Sequence, residues 1–359
     1  MLYREAGKFK TSYAGDQAIF PIPQDRVVFA LVVLIGFVVV PLVASEYALL
    51  TIMIPFLVFA LASIGLNILT GYAGQVSLGT GGFMAVGAFA AYKLSTGFPG
   101  LNIAIVFLLA GLVAAAVGVV FGLPSLRIKG FYLAVATLAS QFFLIWMFNK
   151  FPWFFNYSPS GVISAPPRAV FGNFDVTGAE ASPVAKYLFT VTFVSVLALA
   201  AKNLIRGRIG RSWMAIRDMD IAAEIIGIKP LNAKLSAFAV SSFFVGVAGA
   251  FFAFIYTGSV EAAAFDIDRS FQILFMIIIG GLGSILGSFL GAAFITLLPL
   301  FLDRIGALLG LPLPVNILTN LENMIFGGLI CFFLVVEPNG LARLWQIAKE
   351  KLRLWPFPH

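Results

Sequence analysis

Between Tyr47 and Tyr92 the chain runs for 46 residues without a charged side chain. As one α-helix that run would be about 70 Å long at 1.5 Å per residue, more than twice the ~30 Å hydrocarbon thickness of a bilayer. It must fold back on itself, and the glycine-rich stretch from Gly71 to Gly82 marks where. A second run, 270–302, holds 33 uncharged residues and is interrupted at Gly280, Gly281 and Gly283; it would reach about 50 Å as one helix. Each run therefore predicts two membrane spans. Only 11% of the 359 residues are charged, against about a quarter in a soluble domain, so most of the surface is expected to face lipid.

Apolar runs at 27–43, 47–69, 101–123, 131–148, 184–201, 235–256 and 316–336 are each about long enough to span. The start of the last is interrupted by Asn320, Glu322 and Asn323. The second half of the first long region and the two halves of the second bring the expected count to ten. Charge tests that count. Lys and Arg cluster in an N-terminal arm (1–26), in a short turn with Arg127 and Lys129, in a long connection (202–234) and in the tail (337–359). Together these hold seventeen of the 23 basic residues. Ten spans put all four clusters on one side, as the preference of Lys and Arg for the cytoplasm requires. The expected fold is all-α: an integral membrane protein of about ten transmembrane helices over 27–336, in two inverted five-helix halves, with both termini cytoplasmic. The segment 149–183, rich in proline and opening with Trp153, Phe154, Phe155 and Tyr157, is the expected outside loop. The first 25 residues are mixed and polar, unlike a secretory signal.

Several function classes are disfavoured. The single Cys331 lies in an apolar run and the single histidine is the last residue, His359, so an intramembrane enzyme would lack a nucleophile–base pair or a metal-ligand set. No Gly-x4-Gly-Lys-Ser/Thr phosphate loop occurs. The apolar runs contain no acid other than Glu46 and Glu322, at their edges; an ion-coupled secondary transporter, the main rival reading, usually keeps such groups within the membrane. The basic balance sits at the ends of spans and does not point to nucleic acid.

Three stretches are expected to carry mechanism. In the first, Asn67, Gly71, Tyr72, Gly74, Gln75, Ser77, Gly79 and Thr80 mix glycine with uncharged polar groups. Irregular backbone at membrane depth must be buried in protein or line a cavity, so this is read as a broken helix beside a pathway. Gly87 and its small neighbours suit close helix packing instead. The second stretch, with Gly280, Gly281 and Gly283, has fewer polar side chains, and packing competes more strongly there. One such break in each half suggests inverted repeats meeting at the midplane. The third lies in the cytoplasmic connection, where Ile216, Met219, Ala223 and Ile226 recur at helical spacing. They predict one short amphipathic helix, stopped by Gly227 with Pro230 beyond, that lies on the membrane or docks on a partner.

These motifs are specific in combination. Gly65-Leu-Asn67 with Gly71-Tyr-Ala-Gly-Gln-Val-Ser-Leu-Gly79, then Arg127-Ile-Lys-Gly-Phe-Tyr-Leu-Ala-Val-Ala-Thr137, then Ala215-Ile-Arg-Asp218 with Ala222-Ala-Glu-x-x-Gly227, then Gly280-Gly-Leu-Gly-Ser-Ile-Leu-Gly287 resemble the branched-chain amino acid ABC permease family along nearly the whole chain. The resemblance implies a bacterial inner-membrane subunit paired with a sister permease, two cytoplasmic ABC ATPases and a periplasmic substrate-binding protein. ATP and Mg2+ would sit on the ATPase partners, and this chain would bind no cofactor. It also implies that Arg217, Asp218, Ala222, Ala223, Glu224 and Gly227 couple to an ATPase. Thr80 stands where many relatives have histidine, and Ser158-Pro159-Ser160-Gly161 where many have a Gly-Gly pair. Members of the family also carry urea, amides or aromatic acids, so the substrate stays open at this level.

Overall fold

The computed structural model of the protein describes residues 11–12, 23–125, 131–170, 174–178, 180–308 and 340–354, with scattered helical positions between 321 and 335. Helices in chain order are α1 (Pro23–Leu34, continued to Val43), α2 (Ile54–Asn67), α3 (Thr80–Gly97), α4 (Ile103–Ser125), α5 (Phe131–Lys150), α6 (Pro183–Arg206), α7 (Arg208–Asp218), α8 (Asp220–Ile225), α9 (Pro230–Phe251), α10 (Ile267–Gly280), α11 (Ile285–Leu308) and α12 (Gly340–Leu354). Seven of the described helices are long and apolar enough to cross a membrane. The chain is a multi-pass membrane protein. Most of the arm and the Arg127 turn lie outside the described residues, and the expected span at 316–336 is described only at scattered positions.

Burial separates central helices from peripheral ones. Most residues of Ala48–Tyr72, which contains α2, and of Pro230–Tyr256, which contains α9, are buried, whereas no residue of Arg26–Val43 is fully buried. A helix that is apolar all round belongs inside a bundle or against lipid; here α2 and α9 take the inside and α1 the outside. The two central helices run antiparallel. The Phe59 and Phe252 rings lie 5.9 Å apart, and a Cβ at Gly65 would lie 2.8 Å from Val245 further along. On the other face of α9 packs α3, where a Cβ at Gly87 would run into the Gly246 backbone. The packing reading of Gly87 is the one the structure supports.

Both central helices end the same way. The last turn of α2 widens to a π-turn over Ile68–Tyr72 and that of α9 over Phe252–Tyr256. The amide of Ala73 donates to Ile68 O (3.2 Å) and that of Thr257 to Phe252 O (2.9 Å). Each is followed by a glycine in the left-handed region, Gly74 (φ 69°) and Gly258 (φ 67°). Tyr72-Ala-Gly-Gln-Val and Tyr256-Thr-Gly-Ser-Val are thus one motif used twice, in opposite directions. In each case irregular backbone then leads into a short helix, α3 or α10. The counterpart of the first glycine break is therefore 256–266, and the expected pairing of Gly71–Gly82 with Gly280–Gly287 is corrected. The α10–α11 turn is a packing joint: a Cβ at Gly280 would meet Gly287 O, and one at Gly291 would meet Met276 O. Nor does 270–302 hold two full spans, since the 14 residues of α10 reach only about 21 Å.

Two poles follow from these contacts. At one, the expected outside loop folds over the helix ends. Arg168 Nη1 donates to Pro99 O (2.7 Å), Lys93 Nζ lies 4.4 Å from the Trp153 ring centre, and β1 (Ile163–Ser164) pairs antiparallel with β4 (Ser259–Val260). A second short hairpin joins β2 (Ala169–Val170) to β3 (Phe174–Asp175). At the opposite pole lie α7, α8 and the start of α12, where Gly340 fits against Ile279 O and Gly281.

Candidate functional site: two junctions of broken helices

The residues expected to line a pathway fall into two clusters at different heights. The first sits at the α7 pole. The buried Asn67 side chain reaches across to the α10–α11 turn. Its Nδ2 donates to Ser284 O (2.9 Å), Ser288 Oγ (2.9 Å) and Gly281 O (3.3 Å), while its Oδ1 accepts from the Gly283 amide (2.8 Å). Asn67 thus satisfies a turn that cannot satisfy itself, because Gly281 (φ 120°) and Gly283 (φ 74°) hold backbone shapes that turn amides out of the helix pattern. Gly71 lies against Asn67 and Gly283 with no room for a Cβ.

Into this junction comes Arg217 from α7. Its Nη1 donates to Gly71 O at 2.9 Å, while its Nε and Nη2 hold Asp218 Oδ1, both at 2.9 Å. A Cβ at Gly74 would lie 2.8 Å from Arg217 Cγ, so Gly74 is required twice, for its φ and for this approach. Asn67, Gly71, Gly74, Gly281 and Gly283 are therefore one assembly. Arg217, which the resemblance assigned to ATPase contact, points inward to it.

The α7–α8 region departs from expectation in form. It is two helices, because Met219 is extended (φ −159°, ψ 101°) between them. Ile216 and Ala223 are buried, and Trp213 is fully buried with its Nε1 donating to Ser236 Oγ (2.9 Å). Met219 and Ile226, expected on the same buried face, are 64% and 73% exposed. With Ile221 and Ile225, which are also exposed, they leave apolar side chains uncovered at this pole. Gly227 has φ 88° and ends the segment as expected.

The second cluster lies halfway along the bundle. From Gly74 the chain runs without regular structure to Thr80, where α3 begins. Leu78 N donates to Thr137 Oγ1 (2.9 Å), and a Cβ at Gly79 would lie 2.6 Å from Thr137 O. The first amides of a helix have no partner within it. Here Gly81 N donates to Ser270 Oγ (2.8 Å) and Gly82 N to Gln141 Oε1. Gln141 Nε2 in turn donates to Phe265 O (2.7 Å). The starts of α3 and α10 thus meet at one buried amide in the middle of α5. At the N-terminus of α3 these two donors are thus occupied by protein. Ser77 and Thr80 are buried beside it. Gln75, between the two clusters, is buried with neither end of its amide hydrogen-bonded.

Sequence reasoning passed over Thr137, Gln141 and Ser270. A glutamine inside the apolar run 131–148 was the available signal, since such groups inside spans find protein partners. It also missed Asp266, Asp268 and Arg269, which fall between the apolar runs 235–256 and 270–302. Phe265 and Ser270 both bond Gln141, so these charges stand level with the middle of α5. A cavity of about 570 Å³ between α3, α4 and α5 is lined by Phe89, Val117, Phe148 and similar side chains, with Lys93 as its charged group. It offers little to a polar solute.

A family model described as the permease component of the branched-chain amino acid transport system matches residues 48–334. The high-affinity branched-chain amino acid transport system permease protein LivM of Escherichia coli (strain K12) is 31% identical over 247 residues, which are 64% of this chain and 57% of that protein. The protein of the same name from Salmonella typhimurium is 33% identical over the same shares. The probable branched-chain amino acid transport permease protein LivM of Methanocaldococcus jannaschii is 28% identical over 243 residues, 65% of this chain and 66% of that one. The match thus spans a little over half the length of the two enteric relatives. No solved structure matches. With the family model covering most of the chain and both broken-helix junctions inside its bounds, the protein belongs to the branched-chain amino acid ABC permease family.

Proposed function

We propose that this chain is the membrane subunit of an ATP-driven importer. It crosses the membrane ten times in two inverted halves, with both termini in the cytoplasm of a bacterial cell. With a sister permease it forms the path for branched-chain amino acids handed over by a periplasmic binding protein. Two cytoplasmic ATPases, carrying ATP and Mg2+, dock on the exposed apolar residues of α7 and α8. The observation that carries the reading is the Arg217–Gly71 bond. A helix pair with uncovered Met219, Ile221, Ile225 and Ile226 is tied by one side chain to Gly71, where the first broken region meets the α10–α11 turn. A push on α8 therefore has a route to the path.

Further support comes from the poles: α12 begins against Gly281 at the α7 end, so the basic tail and the basic connection share a side. The test is co-purification of a tagged chain with ATPase and sister-permease subunits, combined with cysteine labelling at Ser12 and Glu350. Labelling of both from the cytoplasmic side alone, with the ATPases retained, is expected. Recovery of the chain without ATPases, or labelling from outside, would overturn it.

One observation favours a second reading. Asp266 and Asp268 stand at mid-depth, where an ion-coupled secondary transporter keeps its carboxylates. Uptake driven by a proton or sodium gradient without ATP would select that reading.

A further inference from the structure

Arg269 is a cation halfway across the protein. Two rulers place it there. Its guanidinium carbon lies 5.1 Å from the Phe59 ring centre and 5.0 Å from that of Phe252. Phe59 is thirteen residues from Glu46 and thirteen from Tyr72, about 20 Å of helix in each direction. Independently, the neighbouring Ser270 bonds Gln141, which is ten residues from one end of α5 and nine from the other.

At contact distance the charge is held by neutral partners. Arg269 Nε donates to Ala264 O (3.4 Å) and Nη1 to Gln272 Oε1 (2.6 Å), and two aromatic faces attract the cation. Among the described residues it makes no ion pair. Asp266 is engaged as the cap of α10, accepting from the Arg269 amide (3.4 Å), whereas Asp268 is exposed. Asp268, Phe271, Gln272 and Phe275 follow at i, i+3, i+4 and i+7, one face of α10, and none of them is fully buried. Phe271 and Phe275 stack at 6.1 Å. Arg269 is one residue round the helix from Asp268 and reaches this face through its bond to Gln272, so a cation, a carboxylate and apolar rings stand side by side. Ionised side chains at this depth face a protein interior or a water-filled path and not lipid.

We propose that this face is a station for the transported amino acid. Arg269 receives its α-carboxylate, a group whose geometry suits a guanidinium; Asp268 receives its α-ammonium, and Phe271 and Phe275 lie against its aliphatic side chain. The inference rests on the import reading above.

The test uses the whole transporter in proteoliposomes with ATP enclosed, leucine as the probe, and the variants Arg269→Gln, Arg269→Lys and Asp268→Asn. Leucine uptake is expected to fall tenfold or more in R269Q, to recover to within about threefold of wild type in R269K, and to fall about fivefold in D268N. ATP hydrolysis stimulated by the binding protein is expected to stay within twofold in all three, so the leucine moved per ATP drops. A purely structural Arg269 would lower hydrolysis and uptake together. Should R269Q fail to assemble, D268N decides, because its side chain is exposed; wild-type uptake in D268N overturns the proposal. Absence of ATP-driven leucine uptake in the wild-type transporter is a different result and removes the import reading itself.

Discussion

Replacing Asn67 by alanine removes four hydrogen bonds at once and fills nothing in their place. Of the groups left behind, the Gly283 amide loses its 2.8 Å acceptor in a turn that two left-handed glycines keep from closing on itself, while the Ser284 carbonyl still accepts from the Ser288 amide (3.1 Å). Leaving a buried polar group unpaired costs about 1–3 kcal/mol. Ser288 Oγ has an alternative in Ser284 O (3.4 Å), and the Gly281 carbonyl is held only at 3.3 Å, so these two add little. The expected loss is about 1–3 kcal/mol. The assay is thermal unfolding of the detergent-solubilised chain, with Gly97→Ala as control, since a Cβ there meets nothing. The N67A midpoint is expected to drop by several degrees and the G97A midpoint to stay. The effect should also be local: the α10–α11 turn should become accessible to a cysteine reagent at Gly283 or Ser284. An unchanged midpoint with a protected turn would refute the claim that Asn67 closes this junction.

Other outcomes follow from the same contacts. Leucine at Gly74 must adopt a left-handed backbone and displace Arg217, so it should abolish uptake and lower folded yield; normal uptake by G74L would remove the junction from the mechanism. Leucine at Gly79 collides with the Thr137 carbonyl and should separate α3 from α5, read as lost thermal stability. Arg217→Glu places a carboxylate beside the Gly71 carbonyl and is expected to cut leucine uptake per ATP by tenfold or more while the complex still assembles; unchanged coupling would break the proposed route. Ile225→Asp, on the most exposed of these apolar side chains, should release the ATPases in pull-down without altering the stability of the isolated chain.

Much of this architecture was legible in the residues. The uncharged run 47–92 forces a break inside the membrane, and the break falls within Gly71–Gly82, where the run of glycines and short polar side chains placed it. Gly227 and Pro230 delimit α8 and α9 as written. What escaped reading depends on contacts between distant segments. Asn67 looked like one more polar residue on a path, and only its bonds to Gly281, Gly283, Ser284 and Ser288 reveal a clasp. The repeat of Tyr72-Ala-Gly-Gln-Val in Tyr256-Thr-Gly-Ser-Val is short, and Gly280–Gly287 is richer in glycine, so composition pointed to the wrong partner. The charged start of α10 falls outside the apolar runs, because charge normally marks the water boundary. Gln141, pairing Phe265 with Gly82, draws that segment inward. Met219 defeated the helical periodicity of 216–226 because backbone geometry at one residue reset the face.

The most direct measurement is leucine uptake into proteoliposomes rebuilt from this chain, its sister permease, the two ATPases and the binding protein. The account predicts accumulation that needs enclosed ATP and the binding protein, disappears when this chain is left out, and persists when proton and sodium gradients are collapsed. Accumulation that proceeds without ATP, or that continues without this chain, would contradict it.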